Sequence, residues 1–360
     1  MTNGKYAAEF FAGIGLVRMA LERANWKVVF ANDIDPAKKE MYQANFGDDD
    51  FVLDDIRNIR ANAIPPVSLA TASFPCIDLS LAGNRNGLNG RHSSAYWEFH
   101  RILSDLGARR PAKVLIENVV GLLTSRDGAD LREILESLAG LGYSCDVVMV
   151  DAVHLVPQSR PRLFILGWLD APATPPTLVP PHEARPPRLM EFIRRNDDLP
   201  WRLTPLPPLP RRRKSLDAIV ERLDETASEW WDEDRKAHLY RQMSPAHKRL
   251  LRQLMSGREL AFATVYKRVR PAGCRAELRA DGVAGCLRTP RGGSSKQFLI
   301  QAGVGQWRVR NMTAREYARL QGVPDSYRIS VPENQALFGF GDAVCVPAVE
   351  WVIREAMDHN

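Results

Sequence analysis

The 360-residue chain is poor in cysteine, with five in all: Cys76, Cys145, Cys274, Cys286 and Cys345, none spaced as C-x-x-C. An odd number of scattered thiols argues against both a disulfide framework and a zinc knuckle, so reduced thiols and no bound metal are expected. No His-x-Glu pair occurs, and Leu79 stands where a second cysteine would follow Cys76, which excludes the zinc deaminase pattern. No apolar run approaches the roughly 20 residues that a membrane helix needs. The opening Met1-Thr2-Asn3-Gly4-Lys5-Tyr6 lacks the charged and apolar regions of a signal peptide. A chain that stays in the cytoplasm, with no membrane partner, is the expectation. No internal repeat is visible.

What is present suits a globular protein: 45% hydrophobic and 26% charged residues, with a net charge of +6. The length fits one large core plus a smaller module. Residues 171–309 carry 26 Lys and Arg against 15 Asp and Glu, a balance of +11, which leaves −5 for the rest. That asymmetry points to a polyanion partner; a solvated, arginine-rich surface is the plainer alternative.

Residues 7–11 form a short apolar run ending in Gly13-Ile14-Gly15, and residues 16–24 have helical spacing, so the opening reads as strand, tight turn and helix. Residues 28–31, 68–73, 114–116, 144–150 and 163–167 read as further strands, and 98–106 and 131–141 as helices. This alternation implies an α/β, Rossmann-like fold with a mostly parallel sheet, which binds its ligands beyond the carboxyl ends of the strands. The texture changes after Asp170. Twelve of the 25 prolines fall in residues 171–210, a density that reads as a linker without regular helix or sheet, leading into a smaller, irregular module. Residues 215–254 hold two helical stretches. Thr313 with Glu316 is a capping box opening another helix, and residues 346–357 form a closing one. The expected division is 1–170, completed by 310–360, with 171–309 as a separate module.

Phe11-Ala12-Gly13-Ile14-Gly15 is a glycine turn with Leu16 in place of the third glycine that a pyrophosphate site uses, which counts against a nicotinamide oxidoreductase. Asp33-Ile34 and Asp55-Ile56, after successive apolar runs, offer acceptors for ribose hydroxyls and for an adenine amino group, beside apolar walls. The set suits a nucleoside without phosphates; loop solvation or N-capping would use the same aspartates. Pro75 biases Phe74 towards an extended conformation and exposes Cys76, whose thiol becomes a nucleophile once ionised; a buried structural cysteine is the alternative. Glu117, at a strand end, can hold or donate a proton, or cap a helix. Arg160 and Arg162 project from one side if residues 158–162 are extended, or else make surface ion pairs.

In this order, Phe11-Ala12-Gly13-Ile14-Gly15, Phe74-Pro75-Cys76, Glu117-Asn118-Val119 and Gln158-Ser159-Arg160-Pro161-Arg162 resemble motifs of the DNA cytosine-5 methyltransferase family. Thr313-Ala314-Arg315-Glu316 with Arg319-Leu320-Gln321-Gly322, and Gly341-Asp342-Ala343-Val344, extend the resemblance over nearly the whole chain. It implies methyl transfer from S-adenosyl-L-methionine to carbon 5 of a cytosine swung out of duplex DNA, with Cys76 adding to carbon 6. Glu117 and Arg160 would hold the cytosine, and Arg162 and Asn118 would order that site. Phe11, Gly13, Ile14, Gly15, Asp33, Ile34, Asp55, Ile56, Pro75, Asp342 and Ala343 would line the cofactor pocket, and residues 81–91 would close over DNA.

On this resemblance residues 1–170 with 310–360 become the catalytic domain and 171–309 the target-recognition domain. Lys267-Arg268-Val269-Arg270 and Arg288-Thr289-Pro290-Arg291-Gly292-Gly293 would meet bases or phosphates, whereas Arg211-Arg212-Arg213-Lys214 reads as a solvated run. The implied setting is bacterial: a monomer, nucleoid-associated when on DNA, with a cognate restriction endonuclease acting separately. The chain departs from the family pattern at four places: Glu9 for aspartate, Leu16 for glycine, Asp342 for asparagine, and the stretch Ile77-Asp78-Leu79 after the thiol. A non-catalytic DNA-binding regulator would have no use for Cys76, Glu117 and Arg160 together. An RNA cytosine-5 methyltransferase would use the same chemistry.

Overall fold

The computed structural model describes residues 4–75, 94–173, 181–270, 273–290 and 296–358. Cys76, the departures at 77–79, the loop at 81–91 and Arg291-Gly292-Gly293 therefore lie outside the described residues. By packing, the chain divides into two units: Met1–Asp151 with Pro161–Leu209 and Ala348–Asn360, and Ala152–Arg160 with Pro210–Pro347.

The first unit is built on seven strands: β1 (Tyr6–Phe10), β2 (Lys27–Asp33), β3 (Phe51–Leu53), β4 (Leu69–Ala72), β5 (Lys113–Val119), β6 (Tyr143–Asp151) and β7 (Pro161–Leu169). Their order is β3-β2-β1-β4-β5-β7-β6. The strands from β3 to β5 are parallel, while β7 runs against both β5 and β6. Helices α1 (Leu16–Arg23), α2 (Pro36–Phe46), α3 (Ser94–Asp105) and α4 (Ala129–Gly140) connect them. Both faces of the central strands are covered, which is why Ala8, Ala70, Val114, Ile116 and Ile165 are all buried. The chain winds outward from β1 to β3 and then returns to β4 on the other side of β1, so a crevice opens at the carboxyl ends of β1 and β4. Helix α2 follows a signal visible in the sequence: Asp35 accepts N–H bonds from Ala37 and Lys38, with Pro36 at the first helical position.

The proline-rich segment differs from its compositional reading. It contains a regular helix, α5 (Pro187–Arg195), because prolines in a first turn remove only N–H groups that have no helical partner. Leu189, Ile193 and Trp201 from this stretch are buried in the core of the first unit. Backbone bonds from Cys145 to Pro200, Met149 to Ala184 and Arg202 to Cys145 lay it along β6, satisfying an otherwise open sheet edge. Buried Asp146 locks it there, accepting from Arg185 Nη2 at 2.5 Å and from the backbone and hydroxyl of Thr204, each at 3.0 Å. The change of composition after Asp170 is thus not a packing boundary; that boundary falls at Leu209–Pro210.

The second unit is more regular than its composition suggests. Strands β8 (Ala261–Arg270), β9 (Gly273–Arg279), β10 (Phe298–Gly303) and β11 (Gln306–Asn311) form an antiparallel sheet in the order β11-β10-β8-β9. Helices α6 (Glu233–Gln242) and α7 (Pro245–Met255) supply Leu239 and Leu251, and the residue capping α6 supplies Met243, to a core with Ala263, Val265, Ile300 and Val309. The capping box of Thr313 and Glu316 opens α8 (Ala314–Leu320), and Glu316 also pairs with buried Arg310. Helices α9 (Glu333–Asp342) and α10 (Val346–Trp351), with a final turn Val352–Met357, close the chain. The stretch Glu333–Met357 is long and apolar enough to cross a membrane, contrary to the expectation from run length, but 72% of its most apolar window is buried inside the protein. By sequence count the second unit holds 26 basic and 15 acidic residues, so it carries the +11 excess.

Candidate active site

The glycine turn sits at the carboxyl end of β1 and is held by the end of β2. Asn32 accepts from Ala12 N–H at 2.9 Å through its carbonyl, and the Asp33 Oδ2 accepts from Gly13 N–H at 2.8 Å. Asp33 Oδ1 takes the Asp35 N–H at 2.9 Å, so the buried carboxylate orders the turn and still has lone pairs to offer. Phe11, Gly13 and Gly15 all have positive φ, at 59°, 56° and 82°. For Phe11 this is a strained conformation of the kind found at binding sites. Gly15 is a packing requirement: a Cβ there would lie 2.4 Å from the Phe46 ring. Gly13 is different. A Cβ would meet nothing nearer than the Phe11 carbonyl at 3.9 Å, leaving its backbone open to a ligand.

Beside this turn Ile34 is 63% exposed, an apolar face without a protein cover, whereas Ile14 and Ile56 are buried. Asp55 caps a single turn, Ile56–Asn58, and pairs with Arg57, whose guanidinium holds the carboxyl below the usual aspartate range. The capping role weighed for this residue is thus present. Glu9, on β1, is 1% exposed; burial pushes its carboxyl up to about 8, although it accepts the Arg18 N–H at 3.2 Å.

Across the crevice, β4 leads through buried Phe74 to exposed Pro75. Asn118, itself 2% exposed, donates through Nδ2 to the Phe74 carbonyl at 3.3 Å, fixing the backbone two residues before the thiol. Glu117 lies within β5 rather than beyond it. Because β7 is antiparallel to β5, Val119 stands opposite Arg162 and Glu117 opposite Phe164. The start of β7 is thereby delivered to the carboxyl end of β5, and Arg162 Nε reaches Glu117 Oε1 at 2.9 Å. Their side chains are 15% and 12% exposed, enough to face a ligand.

Arg160 has other partners. It belongs to the second unit, is 2% exposed, and donates to the carbonyls of Leu287 at 2.7 Å, Gly341 at 3.2 Å and Ala343 at 2.5 Å. The two arginines therefore have different partners: Arg162 pairs with the Glu117 carboxylate, whereas Arg160 donates to backbone carbonyls. Asp342 is exposed and Ala343 half-buried in that same carbonyl cluster. Gln158 and Gln321, both fully buried, complete the cluster: Gln158 donates to the Leu320 carbonyl and accepts from Leu287 N–H, while Gln321 donates to the carbonyls of Phe340 and Ala343. Gln321 stood out in the sequence only as part of the motif Arg319-Leu320-Gln321-Gly322, with no role of its own, and Asn32 carried no signal, since a buried amide is recognised only by what surrounds it.

A family model described as C-5 cytosine-specific DNA methylase matches residues 6–358. The chain is similar to Type II methyltransferase M.NgoBI of Neisseria gonorrhoeae, 28% identical over 95% of this chain and 90% of that protein. Type II methyltransferase M.DsaV of Dactylococcopsis salina is 28% identical over 98% of this chain and 85% of its own. Among solved structures, the Dnmt2 methyltransferase of S. pombe superposes with a TM-score of 0.63 at 19% identity, covering 98% of this chain and 97% of that one. The Entamoeba histolytica methyltransferase EhMeth gives 0.64 at 14% identity, covering 99% of each. At these identities the two structures speak to the fold alone.

Proposed function

The chain belongs to the C-5 cytosine-specific DNA methylase family and is a DNA cytosine-5 methyltransferase, and from that premise we propose that it methylates a cytosine flipped out of duplex DNA through a covalent adduct with Cys76. The observation that carries this reading is the Glu117–Arg162 pair at 2.9 Å, at the carboxyl end of β5, beside the Phe74 backbone that Asn118 holds.

The Cys76 thiolate forms a bond to ring carbon 6, and the displaced π electrons move towards nitrogen 3 and the carbonyl at carbon 2. Glu117 meets nitrogen 3 and the exocyclic amine, and Arg162 both braces Glu117 and receives the carbonyl oxygen. Carbon 5 thereby gains the electron density that an alkylation needs. S-adenosyl-L-methionine supplies the electrophilic methyl group when bound. Transfer of the carbon 5 proton to water then lets its electron pair re-form the ring double bond and release the thiolate. Arg160 is assigned a positioning role in the carbonyl cluster rather than a hold on the base. The first-unit crevice fits a nucleoside cofactor: Gly13 leaves open backbone, Asp33 retains acceptor capacity, and Ile34 offers an apolar face. The Type II names of its relatives support a role in bacterial restriction-modification, beside an endonuclease of the same specificity. The basic second unit is the proposed target-recognition part.

Purified protein with methyl-labelled cofactor should label duplex DNA at cytosine carbon 5 and leave transfer RNA unlabelled. A duplex with 5-fluorocytosine at the target should trap a denaturant-resistant adduct that Cys76→Ala cannot form. Transfer to RNA alone, or full turnover by Cys76→Ala, would overturn the reading.

A further inference from the structure

The ribbon formed by β8 and β9 outruns the helices that cover its sheet. Val265 and Ala276 are buried, whereas Val269 is 73% exposed, so the last cross-strand pairs project beyond the core. In that projecting part Arg268 stands directly opposite Arg275 on one face. Like charges placed opposite each other destabilise a ribbon, so an isolated protein gains nothing from this pair. An anionic partner reverses the sign.

The two arginines are held differently. Arg268 stacks on the Tyr266 ring, donates to the Tyr266 hydroxyl at 2.8 Å through Nη2, and lies 3.2 Å through Nε from Glu277. Tyr266 in turn donates to Glu277. One edge of the guanidinium is thus held by its own strand and the next, while the side chain stays 48% exposed. Arg275, by contrast, has no hydrogen bond or ion pair among the described residues. A buttressed arginine suits a directional, bidentate contact, and an unbuttressed one suits a phosphate that can be met from many angles.

Building on the proposed methylation of duplex DNA, we propose that this ribbon is the base-reading arm, with Arg268 specifying a guanine edge in the major groove, Glu277 and Tyr266 positioning it, and Arg275 binding a backbone phosphate. A two-stranded ribbon has the dimensions to enter that groove.

A random duplex pool methylated by the wild-type protein and read by bisulfite sequencing first gives the recognition sequence. Loss of all methylation at this stage would sink the enzymatic reading itself, separately from the ribbon. Binding of that duplex and of single-substitution variants is then measured over a salt series for Arg268→Ala, Arg268→Lys, Glu277→Gln and Arg275→Ala. The two Arg268 variants should lose roughly 5- to 150-fold discrimination at one guanine position, with Glu277→Gln moving the same position in the same direction. Arg275→Ala should weaken all duplexes alike and reduce the salt slope by about 0.9. An unchanged sequence preference in Arg268→Ala, or an equal loss on every duplex, would overturn the proposal.

Discussion

Replacing Arg160 and Arg162 by alanine, two positions apart in sequence, should produce two different failures. The guanidinium of Arg160 is buried and donates to the carbonyls of Leu287, Gly341 and Ala343. Charge-assisted bonds contribute about 1.5–3 kcal/mol each. They are not additive, and a truncated site partly rehydrates, so the expected net loss is about 3–5 kcal/mol. That is a large share of a total stability of about 5–15 kcal/mol. Arg162 pairs with Glu117 at a site where both side chains keep some exposure, so its loss should cost only about 1–2 kcal/mol. It should instead lower kcat by about 10²- to 10⁴-fold, the range for a group acting on the reacting ring. Urea denaturation followed by tryptophan fluorescence gives the first quantity, and turnover on duplex DNA per folded molecule gives the second. If Arg160→Ala proves as stable as wild type yet inactive, while Arg162→Ala keeps kcat within about threefold, the roles are reversed and Arg160 holds the base.

Two further outcomes follow from the cofactor crevice. Gly15→Ala should destabilise the first unit by about 1–3 kcal/mol, because its Cβ would press on the Phe46 ring at a left-handed φ, whereas Gly13→Ala should cost about 1 kcal/mol of strain and act mainly by raising KM for the cofactor; equal denaturation midpoints for the two would contradict this. Glu9, whose carboxyl is pushed up to about 8 from 4.5, binds a proton more tightly folded than unfolded. Its contribution to stability is full below pH about 4.5 and is lost as pH rises through about 8. Glu9→Gln, which keeps the shape without the charge, should flatten that decline by a few kcal/mol; parallel stability profiles of variant and wild type from pH 5 to 9 would refute it.

Much of the site was legible because it is carried by short, ordered motifs at strand ends. Gly13, Gly15 and Asp33 stand where the sequence places them, since a glycine turn after an apolar strand and an acid after the next one need only local geometry. The helix after Asp35-Pro36 was not among the elements expected, although its cap is a local signal. The α5 helix was hidden by proline density, because composition over a window does not show that its prolines fall in a first turn. The antiparallel sheet of the second unit was obscured because Arg268, Arg270, Arg275 and Arg279, which read as part of an irregular basic stretch, belong to paired strands.

The amino-acid order alone determined the α/β alternation, the family and the chemical types gathered at the strand ends, because those depend on neighbours in the chain. Which arginine meets Glu117 was decided only by tertiary structure. A single reversal of strand direction puts the start of β7 beside the end of β5 and leaves Arg160, two residues away, among buried carbonyls. Strand direction is set by packing across the whole sheet, and no local pattern encodes it.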